Sequence, residues 1–221
     1  MNTTVKTTPV ISNIANETAL VNKQEPAKKY EFIDDWEYID GHFLTRIRAL
    51  RDFGDVKAGD LGGYIENESN LSHEGNCWVY NKARVFQNAR VFGNAKVKSF
   101  FVDVYGNAQI YDNAQVTDHA HISDNAVICD DAHVGGNAKI SGSAYICDEA
   151  RVFDDAVICD ALISGNSYIH SNASLTTNED ICDDAYPEFG SEDDYYRHEY
   201  YADCEGYYDD DNDSQYESDA A

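Results

Sequence analysis

The chain has 221 residues, enough for one or two ordinary domains, and 43% of them are hydrophobic, as in folded proteins. Its net charge of -25 and its isoelectric point near 4.3 are far from typical. So large a negative charge argues against direct binding to nucleic acid or to an anionic membrane surface, and it fits a partner that is itself basic.

Residues 1–29 contain no long apolar run, so we expect neither a signal peptide nor a membrane span in them. The segment is rich in Thr, Asn, Lys and Ala and has no periodicity, which predicts disorder. The six cysteines of the chain form no CxxC motif and have no histidine at zinc spacing. We therefore expect free thiols in a reducing cytoplasm.

Residues 30–69 predict a small β cap. The segment YEFIDDWEYIDGHFLTRIRAL alternates like two strands joined at Asp40-Gly41, a dipeptide typical of hairpin turns. The segment DLGGYIE follows it. An open sheet edge needs a cover, and we assign that role to these two segments.

Residues 70–186 contain a hexapeptide repeat. A small residue is followed two positions later by an aliphatic one, as in Ala108 with Ile110. One extra residue near Phe100 and one missing residue at Asp160 shift the phase without adding a loop. With two degenerate members included, the pattern gives 19 units.

A period of six fits neither a helix nor an extended strand, but it fits a short strand followed by a tight corner. The small and aliphatic residues then point inward. The corner between one unit and the next is mostly built from Gly, Asp, Asn or Ser, which favour corners because they tolerate left-handed backbone conformations. Pro is absent from residues 27–186, so no repeat strand loses a backbone donor.

The units resemble the hexapeptide repeat of left-handed parallel β-helix proteins, in which three units form one triangular turn. The resemblance implies an all-β fold: a single-stranded left-handed parallel β-helix of about six turns, with an N-terminal β-hairpin cap and a disordered acidic tail. Residues 43–97, from FLTRIRALRDF to VFGNAKV, are also similar to phage and prophage β-helix proteins, some described as polymer-forming or transferase-like. This second resemblance implies a phage origin and a place in the host cytoplasm, and it implies no established activity.

Residues 187–221 form an acidic tail rich in paired tyrosines, among them Tyr195-Tyr196 and Tyr200-Tyr201. The tail is either a solubilising disordered segment or a segment that becomes ordered on a basic partner, with its rings stacked on Arg or Lys.

The histidines of the repeat are the candidates for catalytic chemistry. Hexapeptide acyltransferases typically carry a catalytic histidine and a loop that leaves the helix. His121, His133 and His170 fall on outward positions, where any polar residue is acceptable, and His119 falls at a corner, where Asn or Asp is usual. Since the phase breaks add or remove one residue only, we expect no pocket-forming loop, no catalytic residue and no cofactor.

Two cysteines, Cys129 and Cys147, are predicted to be neighbours one turn apart. A metal site needs convergent ligands, and a flat column supplies only two adjacent thiols. Repeat spacing therefore explains these cysteines better than a metal site does.

The acidic residues fall mainly at corners, and stacking by turns places Asp112, Asp130 and Asp148 along one edge. Residues 101–185 carry 15 acidic and 2 basic side chains, or about one net charge per 1.7 Å of helix axis, which is close to the charge density of B-DNA. The candidate partner-binding residues are Asp112, Asp130, Asp131, Asp148, Glu149, Asp154, Asp155, Asp183, Asp184, Tyr195, Tyr196, Tyr200 and Tyr201.

The first functional hypothesis is a non-enzymatic, phage-type binding protein whose acidic β-helix and tail dock on a basic protein surface. Its partner would be a host nucleic-acid-binding defence protein, inhibited by charge mimicry, with no direct contact to nucleic acid or membrane. One alternative is a structural or assembly module of a virion, which would form homo-oligomers. The other alternative is a hexapeptide-type acyltransferase.

Overall fold

The structure, a computed structural model, describes residues 28–176 and 180–182. In this part of the chain every element is a β-strand except one 3-10 turn at Glu68–Asn70. No described helix has the length and apolar character needed to cross a membrane. The predicted segments at residues 1–27 and 187–221, with all candidate residues from Asp183 onward, lie outside the described residues.

The cap is a β-hairpin followed by a third strand. β1 (Tyr30–Ile39) and β2 (His42–Ala49) pair in antiparallel fashion. Asp40 and Gly41 join them with φ angles of 48° and 92°, so the predicted turn dipeptide is confirmed. β3 (Leu61–Ile65) pairs antiparallel with β2 and parallel with the first strands of the repeat, and it thereby joins the hairpin to the helix.

The repeat forms a parallel β-helix with three faces, which we call A, B and C. Face A continues from β3 through β5 (Arg84–Val85), β8 (Asp103–Val104), β11 (His121–Ile122), β14 (Lys139–Ser141), β17 (Val157–Cys159) and β20 (Ser174–Leu175). Face B contains β6 (Arg90–Val91), β9 (Gln109–Ile110), β12 (Val127–Ile128), β15 (Tyr145–Ile146), β18 (Leu162–Ile163) and β21 (Asp180–Ile181). Face C contains β4 (Trp78–Val79), β7 (Lys96–Val97), β10 (Gln115–Val116), β13 (His133–Val134), β16 (Arg151–Val152) and β19 (Tyr168–Ile169).

The predicted all-β parallel β-helix of about six turns is confirmed, because six short repeat strands on each of three faces give six turns. Strands one turn apart pair in register, so Val127 lies between Gln109 of the preceding turn and Tyr145 of the following turn. The two phase breaks alter the length of the turns that contain them. The turn from Arg90 to its partner Gln109 has one extra residue, and the turn from Tyr145 to its partner Leu162 lacks one.

The core is one narrow column of small and aliphatic side chains. Ala108, Ile110, Ala126 and Ile128 are each 0% exposed, and the other regular repeat units follow the same rule. Burying this apolar area is the main favourable contribution to stability, at about 25 cal/mol per Å². The inward assignment of the repeat is therefore confirmed.

The corners are built from left-handed residues, mostly Asp and Gly. Asp112, Asp130 and Asp148 have φ angles of 55°, 55° and 57°. At such angles the conformational cost is smaller for Asp than for most residues with a side chain, and it is absent for Gly. Beside them runs a ladder of Asn side chains, in which Asn94 Nδ2 donates to Asn113 Oδ1 at 3.0 Å.

The cap closes the N-terminal end of the core. Lys29 is fully buried although it belongs to the segment predicted to be disordered, and its Nζ donates to the Cys77 carbonyl at 2.8 Å. Tyr30 is also fully buried, and its hydroxyl donates to the Leu71 carbonyl at 2.9 Å. These polar side chains satisfy carbonyls that the first turn leaves without a strand partner.

Candidate functional site

The structure brings together the corner acids predicted to stack. At the corner between faces B and C, Asn113 N donates to the Asp130 carbonyl at 2.8 Å and Asp131 N donates to the Asp148 carbonyl at 2.9 Å. Asp112, Asp130 and Asp148 therefore occupy successive rungs of one edge. Asp154 and Asp155 lie on the next edge, between faces C and A, so the predicted set is divided between two edges.

Many corner carboxylates have a structural partner. Asp148 Oδ2 accepts from Gly165 N at 3.0 Å, and Asp154 Oδ2 accepts from Ser171 N at 2.9 Å. Each acid thus satisfies a backbone amide of the following turn, which would otherwise be left without a partner. The neighbouring acids of these corners, Asp131 and Asp155, accept from Asn side chains instead and remain exposed. Corner geometry accounts for much of the acidic pattern without any partner.

A second constellation lies on the outer side of face A. His121 Nδ1 lies 3.5 Å from Asp103 Oδ2, and Arg84 binds the same carboxylate through two hydrogen bonds, Nε to Oδ1 at 2.6 Å and Nη2 to Oδ2 at 3.1 Å. Glu37 of the hairpin lies 3.9 Å from the Arg84 guanidinium. The next rung of the column carries Lys139.

Asp103 and His121 differ in their exposure to solvent. Asp103 is only 8% exposed, so its carboxylate is fixed by Arg84 and largely shielded from water. The side chain of His121 is 43% exposed, so it is accessible to solvent. A partly exposed histidine beside a buried carboxylate is an arrangement suited to general-base catalysis.

The other outward histidines have different neighbours. His133 Nε2 lies 3.2 Å from Thr117 Oγ1, and the ring packs edge-on against Phe153. His170 Nδ1 lies 2.9 Å from Ser171 Oγ, and the exposed His119 stacks on Phe101. The predicted outward and corner positions of all four histidines are confirmed.

Reasoning from the sequence missed Asp103 and Arg84 as companions of His121. The available signal is the length of a turn. Asp103 lies one regular turn before His121, and Arg84 lies one turn before Asp103 across the first phase break. A single polar residue on an outward position is common and indicates nothing. A candidate site is indicated only by Arg84, Asp103 and His121 together, because they occupy the same position on three successive turns.

Part of the chain is similar to a known protein. It is 51% identical over 39 residues to an Escherichia coli K12 protein described as the uncharacterized acetyltransferase YdcK. The match covers 18% of this chain and 12% of that protein, so it spans only a small part of the curated relative. No protein-family model matches the chain. Together with the six-turn repeat, the match supports a hexapeptide-repeat β-helix protein.

Proposed function

We propose that the protein is a hexapeptide-type acyltransferase that uses the His121–Asp103 pair on face A. The observation that carries the proposal is the imidazole beside a carboxylate that Arg84 already fixes. The acetyltransferase name of the partial relative supports the same class of reaction. This proposal replaces the non-enzymatic hypothesis as the leading one, because the partial relative carries an acetyltransferase name and the comparison offers no support for charge mimicry.

In the proposed reaction His121 acts as general base. Its free nitrogen takes the proton from an amine or hydroxyl acceptor, which attacks the carbonyl carbon of an acyl thioester. The bond between carbon and sulfur breaks, the thiol leaves with a proton, and the acyl group remains on the acceptor. Asp103 is a positioning residue that stabilises the imidazolium, and such proton transfer typically contributes about 100-fold to 10,000-fold in rate.

We further propose a cytoplasmic location. The described cysteines are all free thiols, which is the state expected in a reducing compartment. A phage origin rests on the sequence resemblance alone.

The test is release of the free thiol from acetyl-coenzyme A in the presence of a panel of small amines and sugars. His121→Ala should lower turnover by about 100-fold or more, and Asp103→Asn should lower it less. His133→Ala is the matched control, because His133 holds the equivalent outward position on face C. Turnover that is unchanged in His121→Ala, or lost equally in His133→Ala, would overturn the proposal.

A second candidate function, docking on a basic protein surface, is favoured by the exposed second acids of the corners. Asp131 and Glu149 are exposed on consecutive rungs, and in the described residues neither accepts a backbone amide of the next turn. Their charges are therefore available to a partner. The proposed partner is a basic host protein, and the tyrosine-rich tail is proposed to contribute to its binding.

Asp131→Asn with Glu149→Gln should slow association with an immobilised arginine-rich peptide and reduce the salt dependence of binding. The control is Asp34→Asn with Asp40→Asn, which removes two exposed charges from the hairpin instead. Equal effects of the two pairs would show that net charge alone is responsible, and the edge would then have no specific role.

A further inference from the structure

The sequence motif Ile-Cys-Asp-Asp/Glu occurs at residues 128–131, 146–149 and 181–184. The first two occurrences are one turn apart, and Ile128 pairs in register with Ile146. The two cysteines therefore lie on adjacent rungs of face B, and the two aspartates that follow them lie on adjacent rungs of the corner. The ladder of backbone hydrogen bonds, including Cys129 N to the Ile146 carbonyl at 3.0 Å, holds both rungs rigidly.

The fold makes these side chains converge. The ligand atoms of Asp130, Cys147 and Asp148 all lie within 4.8 Å of one another. Cys129 Sγ lies 3.3 Å from Asp130 Oδ2, which brings a second sulfur to the same carboxylate. The two carboxylates thus add to the thiols the convergent ligands that a metal site needs.

The cluster has an excess of negative charge. In the described part of the chain, no ion pair with Lys or Arg involves Asp130 or Asp148. The cluster combines one sulfur with two carboxylates, and a bound cation would neutralise their charge.

We propose that Asp130, Cys147 and Asp148 form a binding site for a thiophilic divalent cation of the zinc class. Sulfur and carboxylate oxygen together favour Zn²⁺ over Mg²⁺ or Ca²⁺, which take oxygen ligands only. Both aspartates are exposed, so the ion has a path from solvent. Binding displaces the Cys147 proton, and it should tighten as the pH rises.

The chain contains its own control. Cys159 and Asp160 repeat the Cys-Asp dipeptide, with Cys159 Sγ 3.4 Å from Asp160 Oδ2. Cys159 pairs in register with Ser141 instead of a second cysteine, and Asp160 Oδ1 accepts from Ser143 N at 2.7 Å. In the described residues this pair therefore has one carboxylate beside its sulfur, where the proposed site has two.

The experiment titrates the full-length, reduced, metal-free chain with Co²⁺, whose bond to thiolate gives a sulfur-to-cobalt charge-transfer absorption band, and then displaces it with Zn²⁺. We expect one equivalent of Co²⁺ with this band. Cys147→Ser and Asp148→Asn should each weaken binding by about tenfold or more. Cys159→Ser and Asp160→Asn should bind like the parent.

Carboxylates elsewhere in this acidic chain can bind Co²⁺ but cannot give the charge-transfer band. Melting curves without metal should show that all four variants fold. The proposal is overturned if the parent gives no band, or if the band survives in Cys147→Ser and is lost in Cys159→Ser. Neither result depends on acyl transfer at His121, which lies on a different face.

Discussion

Among single residues, chemically similar side chains have opposite roles because the strand alternates. Val127 and Ile128 are adjacent aliphatic residues of one strand. Ile128 is fully buried in the core, whereas Val127 lies on the outer side of face B and is only partly covered. Position in the repeat therefore decides the contribution of a residue more than its type does.

Ile128→Ala should lower the free energy of unfolding by about 2–5 kcal/mol, because it removes buried methyl groups and leaves a cavity in a narrow core. Val127→Ala is the matched control and should cost less than about 1 kcal/mol. Urea denaturation monitored by circular dichroism measures both. Equal losses would mean that the inward assignment of the repeat is wrong.

Among the structural elements, the cap depends on a few buried polar side chains. Tyr30 and Tyr80 both have a raised pKa, caused first by burial and then by nearby acidic groups. The Tyr80 hydroxyl donates to Asp55 Oδ1 at 2.7 Å, and Lys96 donates to the other oxygen of that carboxylate at 2.9 Å. The first turn is thus tied to the loop between β2 and β3.

These tyrosines predict alkaline sensitivity. Their folded pKa values lie above the ordinary value of about 10, so the stability they contribute is complete below that pH and is lost as the pH rises above it. Lys29 acts in the opposite sense: burial lowers its pKa, and its contribution improves as the pH rises towards about 10.5.

Tyr80→Phe should therefore reduce the loss of unfolding free energy between about pH 8 and about pH 11. Tyr38→Phe, an exposed site on the hairpin, should leave the loss as it is in the parent. Chemical denaturation at the two pH values measures the difference. A parent chain whose stability did not fall above about pH 10 would contradict the assignment.

Over the whole molecule, charge is distributed very unevenly along the chain. Residues 70–100 carry one acidic and five basic side chains, whereas residues 101–185 carry 15 acidic and two basic ones. The hairpin cap and first turns are therefore nearly balanced, and the later turns repel one another. Self-repulsion of this kind destabilises a compact state and is screened by salt.

We expect the melting temperature to rise as NaCl increases from about 0.05 M to about 0.5 M, because the Debye length becomes shorter than the spacing between acidic rungs. Deletion of residues 187–221 removes 13 acidic side chains and one basic one and should make the rise smaller. Differential scanning calorimetry at several salt concentrations measures both effects. A melting temperature that falls with salt would show that ion pairs, not repulsion, dominate.

Patterns along the chain were sufficient to predict the fold of the repeat. The hexapeptide period fixes which side chains point inward, and the two phase breaks fix which turn gains a residue and which turn loses one. The Asp40-Gly41 turn was equally clear, because few dipeptides suit two consecutive positive φ angles. These features are local, so the order of neighbouring residues is enough to predict them.

The outward residues that lie close to one another became apparent only in the folded chain. His121 acquires Asp103 and Arg84 as neighbours, and Cys147 acquires Asp130, because stacking brings residues of different turns within a few ångströms. The repeat pattern predicts the rung of each side chain but not its rotamer, its hydrogen-bond partner or the direction in which a carboxylate turns. Distances between side chains on different rungs are set by packing and electrostatics across turns. For that reason the candidate site could not be predicted from the sequence alone.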